Sequence, residues 1–255
     1  MLKPGELKSA GLFFILSMAM KTVAIIPAGG SGKRMQENQS KQYLLLDGVP
    51  VLVHTLRIFQ GSPKIDEIFL IVPEDDIEYA RQLIVEKYGI SKVSRILAGG
   101  RERQDSVRNG INALASNHDI VLIHDGVRPF ISEELVNSAI VEASKEEAVT
   151  VGVPVKDTVK SVDDNAWVRE TLARGTLWLT QTPQAFKRDV IKKAYEVAYE
   201  DNYYGTDDAS LVERLGINVK MIRGSYDNIK ITTKDDIVIA EGLIKRLKSD
   251  GLNYL

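Results

Sequence analysis

The sequence contains no cysteine, which removes disulfides, thiolate metal sites and cysteine nucleophiles together. It has no charge bias either: 33 Lys and Arg against 35 Asp and Glu give a formal net charge of −2. No overall basic field exists to gather nucleic acid. Histidine is scarce, and neither His54, in a helical stretch, nor His118, in a loop, has the spacing of a metal pair. Repeats and low-complexity tracts are absent. The one apolar stretch that invites a membrane reading, Ala10 to Met20, is too short to span a bilayer. Lys3 and Lys8 ahead of it imitate a signal peptide, but no small-residue cleavage site follows and a strand opens at Thr22. Residues 1–20 are therefore expected to be a disordered extension or to precede a true start at Met18 or Met20, and the protein to be soluble and cytoplasmic. A chain of 255 residues can bury a full core, as one large or two small domains.

What the sequence does have is a glycine-rich turn after a buried strand. Thr22 to Ile26 is apolar and β-branched, and Pro27-Ala28-Gly29-Gly30-Ser31-Gly32-Lys33-Arg34-Met35 follows, with Lys41-Gln42-Tyr43 close behind. Glycines at 29, 30 and 32 let backbone N–H groups converge on phosphate oxygens without a Cβ in the way. Lys33, Arg34 and Lys41 add three cations. The Walker A pattern fails at Pro27 and Arg34, and the dinucleotide fingerprint fails at Met35. A plain strand-to-helix turn is the alternative, but it has no use for the cations.

The remainder alternates strand and helix. Strands are expected at Ile68 to Val72, Val93 to Leu97 and Ile120 to Ile123, with helices between them and Ser132 capping the next. This predicts an α/β fold: an open, mostly parallel twisted sheet with helices on both faces. The Gly29, Gly99 and Asp125 segments each follow the carboxyl end of a strand, where ligands bind in such sheets. From Val153 to Ala185 the rhythm breaks. Two extended runs around Asp163-Asp164-Asn165 predict a protruding β-hairpin arm at about 153–183, making a dimer contact or else lying as a flap on its own subunit. A helix from Lys187 to Tyr199, a short one capped by Thr206, strands at Asn218 to Ile222 and Ile229 to Thr232, and a last helix opened by Thr233-Lys234-Asp235-Asp236 complete one domain, residues 21–250.

No residue set suggests a covalent nucleophile. His124 and Asp125 are adjacent on an extended chain and point to opposite faces, so His124 reads as a structural histidine. Asp125 and Asp227 are the carboxylates placed to hold magnesium, though each could equally make a turn. A missing base is informative if the second substrate is a phosphomonoester, mostly dianionic at neutral pH and ready to attack phosphorus. Two polyanions then need cations on two sides. Arg34 and Lys41 supply one; Arg128, Arg174 and Lys230 are available for the other.

The glycine loop, Gly99-Gly100-Arg101-Glu102-Arg103-Gln104-Asp105-Ser106, His124-Asp125-Gly126-Val127-Arg128-Pro129, Arg174-Gly175 with Thr182-Pro183-Gln184, Thr206-Asp207, and Asp227-Asn228-Ile229-Lys230 stand in a recognisable order. Together, over about Thr22 to Leu247, they closely resemble the 2-C-methyl-D-erythritol 4-phosphate cytidylyltransferases of the non-mevalonate isoprenoid pathway. The resemblance implies a Rossmann-like nucleotidyltransferase that is a magnesium-dependent homodimer, using CTP and a sugar-alcohol phosphate and exchanging arms between subunits. It implies that Arg34 and Lys41 stabilise the α-phosphate. Pro27, Ala28, Gly29, Gly30 and Gly32 would form the phosphate loop, and Gly100, Arg103, Ser106, Asp125 and Gly126 would touch the nucleotide. Asp125, Arg128, Thr158, Arg174, Thr182 and Lys230 would surround the methylerythritol phosphate, with Arg174 and Lys230 acting in catalysis. Arg101 stands where an aspartate is common, and Gly126-Val127 where small alanines are common, which leaves the base contacts less defined than the phosphate contacts. Ribitol 5-phosphate cytidylyltransferase, on the same fold, and a non-catalytic nucleotide-sensing module are the competing readings.

Overall fold

A computed structural model describes residues 20–29, 40–249 and 251; the extension at 1–19 and the loop residues Gly30, Gly32 and Arg34 lie outside the described residues. In chain order the strands are β1 (Thr22–Pro27), β2 (Leu45–Leu46), β3 (Val49–Pro50), β4 (Glu67–Val72), β5 (Val93–Ala98), β6 (Ile120–Ile123), β7 (Ala148–Pro154), β8 (Lys160–Val162), β9 (Val168–Thr171), β10 (Trp178–Lys187) and β11 (Lys220–Arg223). The helices are α1 (Val51–Gly61), α2 (Ile77–Ala80), α3 (Arg103–Asn112), α4 (Glu133–Glu146), α5 (Arg188–Glu200), α6 (Asp208–Glu213) and α7 (Lys234–Ser249).

Seven strands make one sheet in the order β11-β7-β10-β6-β1-β4-β5. Strand β10 runs antiparallel to both its neighbours, β6 and β7, and the other pairs are parallel. The central strands are β-branched runs buried on both faces, as parallel strands under helices must be. Their side chains alternate between two cores. Ala24, Ile26, Ile68 and Leu70 pack under α1 and α4, against Leu56, Phe59 and Ile140. Val23, Ile25, Phe69 and Val121 pack on the other face against Val107 of α3 and Ile191 and Tyr195 of α5. A third cluster joins Val127 and Phe130 to Ile231 and to Ala240 and Ile244 of α7, and so ties the last helix to the loop after β6. No helix among the described residues is long and apolar enough to cross a membrane.

Strand order reverses at β1. The chain leaves β1 for β4 and β5 on one side and returns to β6 on the other. The crevice of an open α/β sheet lies at that reversal, outside the carboxyl ends of β1 and β6.

The helix start signals hold where a side chain closes them. Ser132 Oγ accepts from Leu135 N at 3.2 Å, and Thr233 and Asp236 exchange side-chain-to-backbone bonds of 2.8 and 3.3 Å. Asp207, rather than Thr206, caps α6, accepting from Ser210 N at 2.9 Å. Val49 and Pro50 form a short strand against Leu45 and Leu46 before α1 begins. The strand expected at Ile229 to Thr232 does not form: Ile231 N donates to Val127 O at 2.9 Å, and the side chain is buried in the third cluster. Its β-branched character serves burial rather than a ladder. The hairpin is present as β8 paired antiparallel with β9. Its stems are β7 and β10, which continue into the main sheet down to Trp178 opposite Pro154, so only the tip stands clear. There Val162, Trp167 and Val168 are exposed, Trp167 by 74%.

Candidate active site

Three loops meet over the crevice because each is tied to a neighbouring strand end. Ala28 N donates to Ile71 O at 2.7 Å, Gly99 N to Val72 O at 2.7 Å, and Gly126 N to Pro27 O at 3.1 Å. The packing is tight at Gly126 and closes out a side chain at Gly100. A Cβ on Gly126 would lie 3.0 Å from Leu52 Cδ1 and 3.1 Å from the Ala28 methyl, and one on Gly100 would lie 2.3 Å from Asp105 Cβ. Ser106 Oγ accepts from Gly100 N at 3.0 Å and donates to Glu102 O at 3.1 Å, closing the loop onto the first turn of α3. Lys41 sits half-buried in the helical turn Lys41–Tyr43.

The floor of the cleft is Asp125, 5% exposed. A tight turn, with Arg128 N donating to Asp125 O at 3.0 Å, brings Arg128 back over it. Arg103 Nε donates to Asp125 Oδ1 at 2.9 Å, Lys230 Nζ lies 2.8 Å from Oδ2, and Arg128 Nε 3.5 Å from Oδ2. Burial alone would raise this carboxyl. The charges of Arg103, Lys230 and Arg128 outweigh it and hold the group well below the usual carboxylate range. Burial pulls the Arg128 guanidinium below its usual value against the opposing pull of Asp125. Arg103, Arg128 and Lys230 thus bring three cations to one place, which is what a second polyanion requires.

His124 is fully buried against Phe59, ring centroids 4.9 Å apart. Its Nδ1 lies 3.1 Å from Thr182 Oγ1 and its Nε2 3.1 Å from Arg128 O, and burial draws its pKa down to about 4. It is a neutral structural ring that fixes Thr182. Asn228 Nδ2 donates to Thr182 O at 2.8 Å, and Asn228 O accepts from Arg128 Nη1 at 2.8 Å. The segment carrying Lys230 is thereby locked to the wall made by β10.

Of the residues singled out in the sequence, Arg103, Asp125, Arg128, Thr182 and Lys230 line one cleft of about 270 Å³. Gly29, Gly100, Ser106 and Gly126 are not among the residues lining it; the glycines stand in the loops at the ends of β1, β5 and β6, and Ser106 in the first turn of α3. Thr158 and Arg174 are exposed at the base of the arm and do not line this cleft; Arg174 Nη1 donates to Lys156 O at 2.6 Å. Asp227 is half-buried and paired with Arg246 of α7 at 2.6 Å, so Asp125 is the candidate metal carboxylate that faces the cleft. Gln184, Thr206 and Asp207 also line it, and Asp208 stands behind it. Thr206, Asp207 and Gln184 stood in the recognised segments without a role, and Asp208 carried no signal beyond its place at the start of a helix. Among the described residues no three His, Asp or Glu gather as a metal cage. A magnesium ion fits here in a different way, on one protein carboxylate plus substrate phosphates. Asp125 is the carboxylate for that: its Oδ1 pairs with Arg103 and keeps a lone pair, whereas Oδ2 faces both Lys230 and Arg128.

A mostly parallel sheet that reverses at β1, with a cation-ringed carboxylate at the reversal, is the frame of a nucleotidyltransferase of the α/β class. Comparison with known proteins makes this specific. Residues 22–246 match the family described as IspD, 2-C-methyl-D-erythritol 4-phosphate cytidylyltransferase. The chain is 53% identical over 229 residues to the protein of that name from Syntrophus aciditrophicus, covering 90% of this chain and 98% of that one. The Geobacter metallireducens protein of the same name is 51% identical, covering 89% and 98%. Among solved structures, the 4-diphosphocytidyl-2C-methyl-D-erythritol synthase of Anaerococcus prevotii superposes with a TM-score of 0.80 at 38% identity, covering 89% of this chain and 97% of that one. The Francisella tularensis 2-C-methyl-D-erythritol 4-phosphate cytidylyltransferase gives 0.72 at 33%, covering 87% and 99%. The chain belongs to the 2-C-methyl-D-erythritol 4-phosphate cytidylyltransferase family.

Proposed function

We infer that this chain transfers the cytidylyl group of CTP to 2-C-methyl-D-erythritol 4-phosphate, giving 4-diphosphocytidyl-2-C-methyl-D-erythritol and pyrophosphate. The observation that carries this is the ring of Arg103, Arg128 and Lys230 around Asp125, beside the glycine loop at the sheet's reversal. The substrate phosphate, a dianion above its second pKa of about 6, attacks the α-phosphorus in line. A P–O bond forms as the bond to the β-phosphate oxygen breaks, and pyrophosphate leaves. No base is needed, and His124 does not serve as one: both its ring nitrogens lie at hydrogen-bonding distance from protein oxygens. The chain's task is to hold two polyanions together and to stabilise charge on the transferring phosphorus.

The roles divide by place. The loop of Ala28, Gly29, Gly30 and Gly32 receives the triphosphate through glycine N–H groups, with Arg34 and Lys41 on the α-phosphate, and Pro27, tied to Gly126, holds the loop beside the nucleotide. Gly100, Arg103, Ser106 and Gly126 serve the nucleotide. Lys230, Arg128 and Thr182 receive the methylerythritol phosphate. A bound magnesium ion would neutralise phosphate charge, held by Asp125 and the phosphates; Asp227 would join as a second carboxylate only on leaving its pair with Arg246. The exposed arm tip supports a homodimer in which the arm carries Thr158 and Arg174 to the neighbouring subunit's cleft. The cytidylyltransferase domain is residues 21–250, with the arm at about 153–183, and it works in the cytoplasm.

Pyrophosphate release with CTP and magnesium tests the reading, comparing 2-C-methyl-D-erythritol 4-phosphate with ribitol 5-phosphate. Turnover on the first alone is expected. Turnover on ribitol 5-phosphate alone would move the chain to another pathway, and CTP binding without turnover on either would make it a sensing module.

A further inference from the structure

Asp208 opens α6 with its carboxylate turned into the protein, 1% exposed. An aspartate in the first turn of a helix ordinarily faces water and serves the helix dipole. The cap of this helix is already supplied by Asp207, so Asp208 is not needed there. Its Oδ1 accepts from the Tyr195 hydroxyl at 2.6 Å, and its Oδ2 lies 2.8 Å from Arg103 Nη2. Among the described residues that oxygen accepts no aligned hydrogen bond, so its contact with Arg103 is an ion pair. A carboxylate is costly to bury without a paired charge, and Arg103 is the charge.

Arg103 therefore bridges two carboxylates, Asp125 through Nε and Asp208 through Nη2. Tyr195 stands behind Asp208, itself fully packed into the core beneath α5. The rest of the guanidinium lies where Arg103 lines the cleft. We propose that Asp208, backed by Tyr195, is a positioning residue: it fixes the fork of Arg103 so that one side holds Asp125 and the free side meets the nucleotide. This rests on the cytidylyltransferase reading of the cleft. Without Asp208, Arg103 keeps its charge but loses one of two anchors, and only the Nε bond to Asp125 then opposes rotation of its guanidinium.

The test is CTP affinity, measured by calorimetry and as KM, in Asp208→Asn, Tyr195→Phe and Arg103→Ala. Asp208→Asn keeps the volume and an acceptor for Tyr195 but turns an N–H donor toward the guanidinium. The KM and Kd for CTP should rise about tenfold, the scale of one coupling between side chains in contact, with kcat and the KM for the second substrate changed less than about threefold. Tyr195→Phe keeps both charges and should raise the KM for CTP by about threefold. In the Arg103→Ala background Asp208→Asn should add nothing, because the two act as one unit. A folded Asp208→Asn protein with wild-type CTP affinity overturns the proposal, as does full additivity with Arg103→Ala. If Asp208→Asn does not fold, unchanged affinity in folded Tyr195→Phe overturns it. A wild-type protein that binds CTP without releasing pyrophosphate would overturn the activity instead, and the calorimetric comparison would still decide the role of Asp208.

Discussion

Acid should destabilise this protein through His124 before its carboxylates titrate. The imidazole is fully buried, and burial draws its pKa from 6.5 in the open chain to about 4. Between those values the unfolded chain binds the proton and the folded protein does not. Stability from this group is complete above pH 6.5 and is lost as pH falls toward 4. The gap of about 2.5 units corresponds to about 3 kcal/mol, of which about 2 kcal/mol is already gone at pH 5. Two other groups bracket the measurement. Burial also lowers His54, which adds a loss of the same sign. Glu67, held at about 2 by Lys21 against burial, contributes mainly below the ordinary glutamate range. The comparison is therefore between wild type and His124→Gln, each unfolded in urea at pH 8 and pH 5. Wild type should lose about 2 kcal/mol more than the variant between the two. Equal losses would refute the assignment of His124 as a buried neutral ring, whatever the absolute stability of the variant.

Asp125→Asn should leave Arg103, Lys230 and Arg128 facing one another without their anion; unfolding should show a loss of about 3 kcal/mol, and pyrophosphate release should fall about a hundredfold. Unchanged turnover would remove Asp125 from the site. Gly100→Ala places a methyl 2.3 Å from Asp105 Cβ, so the start of α3 must shift; a loss of about 1–3 kcal/mol and weaker CTP binding by calorimetry are expected, and a variant as stable as wild type would show the loop to be slack. Lys41→Ala and Arg174→Ala should each be nearly inactive, yet refolding them together should restore about a quarter of wild-type activity if the arm completes its neighbour's cleft. No recovery in confirmed mixed dimers would place Arg174 in its own subunit's site or outside it.

Legibility in the sequence followed the range of the interactions. β1 and the glycine loop are contiguous, so the residues that make the strand also announce it. Asp125, Arg103, Arg128 and Lys230 were recoverable because each stands in a short segment with its own composition. Their meeting followed from strand ends at a sheet reversal. The pairing of β10 between β6 and β7 was not readable, because an apolar run does not say which strand it joins or in which direction. Ile229 to Thr232 misled for a related reason: Ile231 is β-branched because it fills a core between α7 and the loop after β6, and burial and strand propensity favour the same side chains. Asp208 was invisible because its partner, Arg103, lies in a different part of the chain, and an acid at a helix start already has an ordinary explanation.

Asp125 collects its counter-charges from widely separated parts of the chain. Arg103 precedes it and Arg128 follows within one turn, but Lys230 comes roughly a hundred residues later, on the order of ten seconds of ribosomal synthesis. Strands β1, β4, β5 and β6 are complete by Ile123, whereas β10, which walls the cleft, ends at Lys187. The nascent chain thus owns half a sheet before it owns a binding site. A polypeptide cut short ahead of Lys230 keeps a buried acid with a cation missing. The ion cluster is in this sense a completion mark: only a finished chain carries it in balance.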